Sequence, residues 1–127
     1  MIISIGVDII EIRRVREALL RTPRFAERVF TAAERSYCER KGAVAAQHYA
    51  VRFAAKEAAL KALRTGWRGG IGWQDVEISS RDGGAPYLIF HGHVQQLFEK
   101  SGATVAHLSL SHTSEHAIAE VILERVD

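Results

Sequence analysis

The side chains with the clearest chemical potential lie in residues 52–63, which read RFAAKEAALKAL. On an α-helix, Glu57 and Lys61 are four residues apart, which places a carboxylate and an ammonium on one face about one turn apart. Spacing alone favours a solvated ion pair on the surface of a helix, because such pairs are common and contribute little free energy. A thin face formed by Ala54, Ala58 and Ala62 predicts that this helix packs closely against another element.

A second carboxylate, Asp8, follows the apolar N-terminal segment in the sequence GVDIIEI. Its neighbours Val7 and Ile9 predict that it is partly sheltered from water. Asp8 could cap the helix that follows or bind a metal ion, since both roles suit a strand–helix junction. If Asp8 and Glu57 converge, they provide two oxygen ligands of the kind that Mg²⁺ takes, with waters and phosphate oxygens completing its shell. The sequence does not decide whether they meet.

The hydrophobic pattern predicts the elements that would position these side chains. In chain order they are a strand at 1–7, a helix from residue 9, a short helix at 24–30 capped by Thr22-Pro23, a helix from the Thr31–Glu34 capping box to about residue 42, a helix at 44–63, a glycine-rich loop at 67–72, strands at 75–79 and 87–90, a short helix closed by Gly102, and strands at 104–111 and 117–124. This order indicates a single α+β domain over residues 1–127, with an antiparallel sheet packed against helices.

Composition narrows the class of protein. The chain has 127 residues, 47% of them hydrophobic and 25% charged, as in one soluble globular domain. The N-terminus has no basic leader or small-residue cleavage site, so we expect no signal peptide. Cys38 is the single cysteine, which excludes an intramolecular disulfide and indicates a reducing, cytoplasmic setting. The six histidines lack metal-ligand spacing, so we expect no structural zinc site.

Charge is unevenly distributed between the two halves of the chain. Residues 1–64 contain 13 Lys and Arg against 7 Asp and Glu, whereas residues 65–127 contain 4 against 8. Six arginines fall within residues 13–28: Arg13, Arg14, Arg16, Arg21, Arg24 and Arg28. They could form a solvated surface with a Glu17–Arg21 pair. The choice of arginine throughout instead favours bidentate recognition of carboxylates or phosphates, and therefore an anionic partner.

Three segments resemble the signatures of one enzyme family, the holo-acyl-carrier-protein synthases. GVDIIEI at 6–12 resembles the family's N-terminal signature. RFAAKEAALKAL at 52–63 resembles its more specific signature, in which a lysine follows the glutamate of the Lys-Glu-Ala core by four residues. LSLSHTSEHAIAEVIL at 108–123 is similar to the C-terminal strand pair with its Ser-His-Thr turn. The chain length also matches, so the resemblance covers essentially the whole domain.

The resemblance implies a 4′-phosphopantetheinyl transferase-like fold and a Mg²⁺-dependent transferase of fatty acid biosynthesis. Such an enzyme moves 4′-phosphopantetheine from coenzyme A to a serine of apo-acyl carrier protein and releases adenosine 3′,5′-bisphosphate. Asp8 and Glu57 would be the metal ligands, and Lys61 would neutralise phosphate oxygens as the third catalytic residue. This suits phosphoryl transfer, where catalysis is mostly positioning and charge neutralisation. The general base stays open between Glu57 acting through a water and a hydroxide on the metal.

Further roles follow from the same resemblance. The residues that would hold coenzyme A are Arg52, Lys61, Gly66, Gly70 and His112, although His112 also fits a turn histidine without a ligand. The residues that would dock the acidic helix of acyl carrier protein are Arg14, Arg21, Arg24 and Arg28. The active unit would be a homotrimer with each site shared between two chains. The chain departs from the family pattern at Arg64, where glycine is frequent, and at His116, where an aromatic is frequent.

Two functions of other classes compete with this one. The basic first half could belong to a nucleic-acid-binding module, but its arginines are not interleaved with aromatic residues that stack on bases. A non-catalytic oligomeric scaffold would leave Asp8 and Glu57 without a special role. Within the enzyme class, the alternative acceptor is the carrier protein of a polyketide or peptide pathway.

Overall fold

The computed structural model describes residues 1–66 and 71–127. Its elements in chain order are β1 Ile2–Glu11, α1 Ile12–Arg21, α2 Phe25–Val29, α3 Ala32–Glu39, α4 Ala45–Ala62, β2 Val76–Ser80, β3 Pro86–Phe90, α5 Gly92–Lys100, β4 Val105–His112 and β5 His116–Glu124. Short 3₁₀ turns at Gly42–Val44 and Trp73–Asp75 precede α4 and β2. No helix in these residues is long and apolar enough to cross a membrane.

The strands form two antiparallel sheets, where the sequence indicated one. β1, β5 and β4 form a three-stranded sheet in that order, and β2 pairs with β3 in a two-stranded sheet. The predicted α+β class is confirmed. β5 alternates buried and exposed residues along its length, because one face of its sheet lies on α4 and the other faces outward.

α4 lies at the centre of the fold, because its small alanine side chains allow neighbouring strands to pack closely against it. Ala54, Ala58 and Ala62 are buried, as the pattern predicts, and the helix packs against both β1 and β5. A β-carbon at Gly6 would overlap the carbonyl oxygen of Ala58 and lie 2.6 Å from the amide nitrogen of Ala62. Gly6 therefore lets the backbone of β1 lie directly against the helix.

The junction of β1 and α1 differs from the prediction. β1 continues through Asp8 to Glu11, because β5 pairs with it as far as the Glu11–His116 position. α1 begins at Ile12, four residues beyond Asp8, so Asp8 is not its N-cap. The cap position belongs to Glu11, whose side chain makes no capping hydrogen bond.

The connections around α2 and α3 give one correction and one confirmation. The Thr22-Pro23 cap is wrong, since Thr22 ends α1 with its amide bonded to Ala18 and α2 starts after Arg24, which has a φ of 63°. The Thr31–Glu34 capping box at the start of α3 is confirmed, with both of its hydrogen bonds present.

Candidate active site

Asp8 and Lys61 meet where β1 crosses α4. Asp8 shares a face of β1 with Gly6, because side chains two apart on a strand point the same way, and that face lies on the helix. The Lys61 Nζ atom donates hydrogen bonds to Asp8 Oδ1 at 2.9 Å and to the carbonyl oxygen of Val7 at 3.1 Å. The Asp8 side chain is only 17% exposed, whereas that of Lys61 is 55% exposed. The carboxylate is therefore largely sheltered from water, whereas more than half of the lysine side chain is open to solvent.

Glu57 lies one helical turn before Lys61 and is half-buried. The spacing favoured a surface pair between these two side chains, but Lys61 bridges from α4 to Asp8 of β1. The helix face that carries Glu57 and Lys61 is thus turned toward the β1 carboxylate. Within residues 1–66 and 71–127, no three His, Cys, Asp or Glu side chains cluster as a metal site. Two carboxylates fit Mg²⁺, which takes one or two from protein and its other ligands from water and phosphate.

A buried ion pair fixes another side of α4, and the sequence analysis missed it. The Lys56 Nζ atom lies 2.8 Å from Glu34 Oε1, and both side chains are fully buried. Glu34 also accepts hydrogen bonds from the amides of Thr31 and Ile78, and Lys56 donates to the carbonyl of Val76. Burial lowers the pKa of Lys56, and the attraction of Glu34 only partly opposes this. The capping box was the one signal in the sequence, because it marked Glu34 as a fixed carboxylate.

Arg52 and His112 line one cavity of about 330 Å³ between α3, α4 and the strands β2, β3 and β4. Arg52 is 4% exposed, and its guanidinium lies 4.0 Å from the centre of the Tyr37 ring. Its Nε atom has no hydrogen-bond partner in the described part of the chain. His112 is the last residue of β4 and is exposed, with its Nδ1 atom 3.3 Å from the carbonyl oxygen of Thr113.

The glycines predicted to contact coenzyme A lie beyond the end of α4. Gly66 is exposed and has a φ of 65°, a conformation that glycine adopts without strain. Arg64, two residues earlier, has a φ of 60°. This conformation favours glycine, which is frequent at that position in the family that the sequence resembles. Gly70 lies outside the described residues, as does most of the predicted glycine-rich loop at 67–72.

The arginines are exposed on and after α1. Arg14 borders an apolar cleft of about 230 Å³ whose walls include Phe25 and Phe53. Arg13 lies 4.0 Å from Glu17, so the ion pair of this helix joins those two residues and not Glu17 and Arg21. Arg21 ends α1, Arg24 occupies the turn and Arg28 lies within α2. The four predicted docking residues, Arg14, Arg21, Arg24 and Arg28, thus follow one stretch of surface along the chain.

Comparison with known proteins agrees with this architecture. The family model of the 4′-phosphopantetheinyl transferase superfamily matches residues 4–120. A holo-[acyl-carrier-protein] synthase of Koribacter versatilis is 47% identical over 125 residues, which cover 98% of this chain and 99% of that protein. The Bacillus anthracis holo-(acyl-carrier-protein) synthase, solved in complex with CoA (3′,5′-ADP), has a TM-score of 0.82 and 38% identity over 99% of both chains.

A second solved structure is also similar over nearly the full length of this chain. The Helicobacter pylori holo-[acyl-carrier-protein] synthase in complex with coenzyme A has a TM-score of 0.81 and 29% identity, covering 94% of this chain and 99% of that one. Sequence, family model and fold therefore agree over nearly the full length. The chain is a transferase that belongs to the 4′-phosphopantetheinyl transferase superfamily, and within it to the holo-acyl-carrier-protein synthases.

Proposed function

We propose that this enzyme transfers 4′-phosphopantetheine from coenzyme A to a serine of apo-acyl carrier protein in a Mg²⁺-dependent reaction of fatty acid biosynthesis in the cytoplasm. The observation that carries the proposal is the contact of Lys61 with Asp8, which turns the Glu57 face of α4 toward the β1 carboxylate. The coenzyme A complexes of the Bacillus anthracis and Helicobacter pylori relatives support the donor substrate.

Asp8 and Glu57 would hold the metal ion, and Mg²⁺ bound there supplies positive charge to the pyrophosphate oxygens. Lys61 neutralises further phosphate charge, because its ammonium lies beside Asp8 on a side chain that is 55% exposed. A bond forms between the serine oxygen and the β-phosphorus, and the bond to the bridging oxygen breaks. Adenosine 3′,5′-bisphosphate leaves with that oxygen. The serine proton passes to a base, for which Glu57 through a water is the candidate side chain.

Coenzyme A would bind with its nucleotide in the cavity that Arg52 and His112 line. The unpartnered Nε atom of buried Arg52 supports this placement, because a buried donor without a partner costs about 1–3 kcal/mol until an acceptor satisfies it. Backbone amides around Gly66 and Gly70 would complete the contacts with phosphate.

Apo-acyl carrier protein would dock on Arg14, Arg21, Arg24 and Arg28, which present planar cations to an acidic helix. The cleft beside Arg14 could receive an apolar side chain of the same partner, since Phe25 and Phe53 line it. A carrier protein of a polyketide or peptide pathway would use the same chemistry.

The outward face of the three-stranded sheet supports a homotrimer. Ile5, Val7 and Ile9 of β1 are 57%, 48% and 64% exposed, and Ile118 of β5 lies beside Ile9. An apolar patch on consecutive sheet positions is typical of an interface. Threefold closure and sites shared between subunits are what the family resemblance implies. A shared site would join Asp8 and Glu57 of one chain with His112 of the next.

The test of the reaction is incubation with coenzyme A, Mg²⁺ and apo-acyl carrier protein, followed by mass spectrometry. We expect the carrier to gain the mass of one phosphopantetheine. Asp8→Asn and Glu57→Gln preserve shape but remove ligand charge, so we expect each variant to keep its fold and lose at least about 100-fold in rate at low Mg²⁺. Near-normal activity in either variant would remove that residue from the metal site.

Shared sites are tested by mixing two inactive chains, Asp8→Asn and His112→Ala. If neighbouring subunits share a site, some interfaces of the mixed oligomer combine two intact halves, and part of the activity returns. Sedimentation equilibrium of the wild type gives the subunit number. A fully active monomer, or no recovery after proven subunit exchange, would place the whole site within one chain.

A further inference from the structure

His48 borders the same cavity as Arg52 and His112 and has no role in the function proposed above. It lies on α4 one turn before Arg52, so both side chains project from the same side of the helix. The centre of its ring is 6.4 Å from that of His112 and 5.8 Å from that of Tyr37. Two imidazoles and a buried guanidinium therefore surround one space.

The groups that face His48 are cationic or uncharged at neutral pH. They come from each element around the cavity: Tyr37 from α3, Lys41 from the segment after it, Arg52 from α4 and His112 from β4, with Ser80 of β2 and Pro86 of β3 uncharged. Burial lowers the pKa of His48, and the charges of Lys41, Arg52 and His112 lower it further. A further positive charge on the His48 ring is therefore unfavourable in the free protein.

An anion in the cavity would reverse this balance. A phosphate beside Arg52 and His112 compensates the surrounding cations, and protonation of the His48 ring then adds a charge-assisted hydrogen bond. The proton comes from solvent, and no covalent bond changes. Binding of phosphate and uptake of a proton are therefore linked, so each favours the other.

The position along α4 indicates which phosphate would bind. His48 precedes Glu57 by nine residues, which at about 100° per residue places the two side chains on opposite sides of α4. The reacting pyrophosphate belongs beside Glu57 and Lys61 in the proposed function. The phosphomonoester on the 3′ oxygen of coenzyme A therefore needs a separate set of cations.

We propose that His48 is a phosphate-binding residue of this enzyme, which takes up a proton as the 3′-phosphomonoester of coenzyme A enters the cavity beside Arg52 and His112. The inference rests on the proposed function, because that function puts the nucleotide in this cavity. It assigns His48 a part in discriminating substrates that carry the 3′-phosphate from those that lack it.

The test is calorimetric titration of the enzyme with adenosine 3′,5′-bisphosphate without Mg²⁺, in two buffers with different heats of ionisation. The difference in heat gives the net number of protons that enzyme and ligand take up together, and the change between wild type and variant reports the contribution of the replaced side chain. We expect His48→Gln to lose at least about half of the uptake and to bind about three- to tenfold more weakly near pH 7. His107→Gln is the matched control, because His107 is exposed on β4 and pairs with Glu124 outside the cavity.

A second probe, adenosine 5′-monophosphate, lacks the 3′-phosphate. We expect wild type and His48→Gln to bind it equally, and a persisting difference would overturn the assignment to the 3′ group. Equal proton uptake by wild type and His48→Gln would overturn the role of His48. If His112→Gln nevertheless weakens binding, the proposed nucleotide site stands without His48. If neither variant weakens binding, or the wild type does not bind the bisphosphate, both assignments fall.

Discussion

Replacing Lys56 by methionine removes the cation from a carboxylate that water does not reach. Glu34 is fully buried and keeps only its two amide donors, from Thr31 and Ile78. Breaking a buried ion pair from one side typically costs about 3–5 kcal/mol, and the two remaining hydrogen bonds place Lys56→Met near the lower end of that range. Methionine is similar in length to lysine and apolar, so the loss reports the uncompensated charge, together with the hydrogen bonds to the carbonyl oxygens of Trp73 and Val76, and not a cavity.

The double replacement Glu34→Gln with Lys56→Met should cost much less than the sum of the two single changes. The lowered pKa of Lys56 shows that burial outweighs the attraction of Glu34, so the pair is expensive to desolvate. Glutamine keeps an acceptor for one amide and carries no charge that needs a partner. We expect a coupling energy of about 2–3 kcal/mol in favour of the double variant.

Urea unfolding at a fixed protein concentration, followed by tryptophan fluorescence, measures this cycle. Trp73 is a suitable reporter, because its ring stacks on Phe53 of α4 at 4.9 Å. Protein concentration is held constant because subunit association would make the unfolding midpoint depend on it. Additive single effects, or a stable Lys56→Met variant, would refute the argument that the charge of Glu34 depends on Lys56.

Three further outcomes are expected. Arg64→Gly should raise the free energy of unfolding by about 0.5–1 kcal/mol over Arg64→Ala, because only glycine adopts the positive φ of residue 64 without strain; equal stability of the two variants in urea would contradict this. Burial acts to raise the pKa of Glu77, but hydrogen bonding, chiefly with His91, holds it below its ordinary value. These hydrogen bonds therefore stabilise the fold above the ordinary pKa of glutamate, and the stabilisation is lost as the pH falls through the lowered pKa of Glu77. Between about pH 5 and pH 3, Glu77→Gln should consequently lose less stability than the wild type, as measured by urea unfolding. Arg21→Glu should raise the KM for carrier protein about three- to tenfold at low salt and weaken the salt dependence of that KM. The control Arg125→Glu should change neither, and an unchanged KM in Arg21→Glu would exclude Arg21 from docking.

Local signals predicted the helices well and their junctions less well. α4 was placed within one residue at each end, because a long alanine-rich segment has one strong preference, and the Thr31–Glu34 box fixed the start of α3. The end of β1 was missed because it is set by pairing with β5, whose residues lie more than 100 positions away. Thr22 was misread because a threonine before proline looks the same whether it ends one helix or begins the next.

The residues of the candidate site were likewise predictable from local sequence only in part. Periodicity placed Glu57 and Lys61 on one face of a helix, but only the resemblance to a family brought Asp8 to them, since no local rule joins residues 53 positions apart. The buried ion pair of Lys56 was not predicted, for a related reason. Its partner is 22 residues away on another helix, and a lysine in an alanine-rich segment gives no sign that it is buried.

Three consecutive residues of α4 have different surroundings and different roles. Lys56 points into the core to Glu34, and Ala58 receives the backbone of Gly6. Glu57 shares a helix face with Lys61, four residues later. Successive helical residues are about 100° apart, so three adjacent positions can serve three surroundings. A sliding or rotation of α4 would therefore disturb all of them together. The buried pair at Lys56 and the close contact at Gly6 oppose such movement from two sides, which keeps the helix face that carries Glu57 and Lys61 fixed relative to β1. This geometry accounts for a signature in which lysine, glutamate and alanine stand side by side.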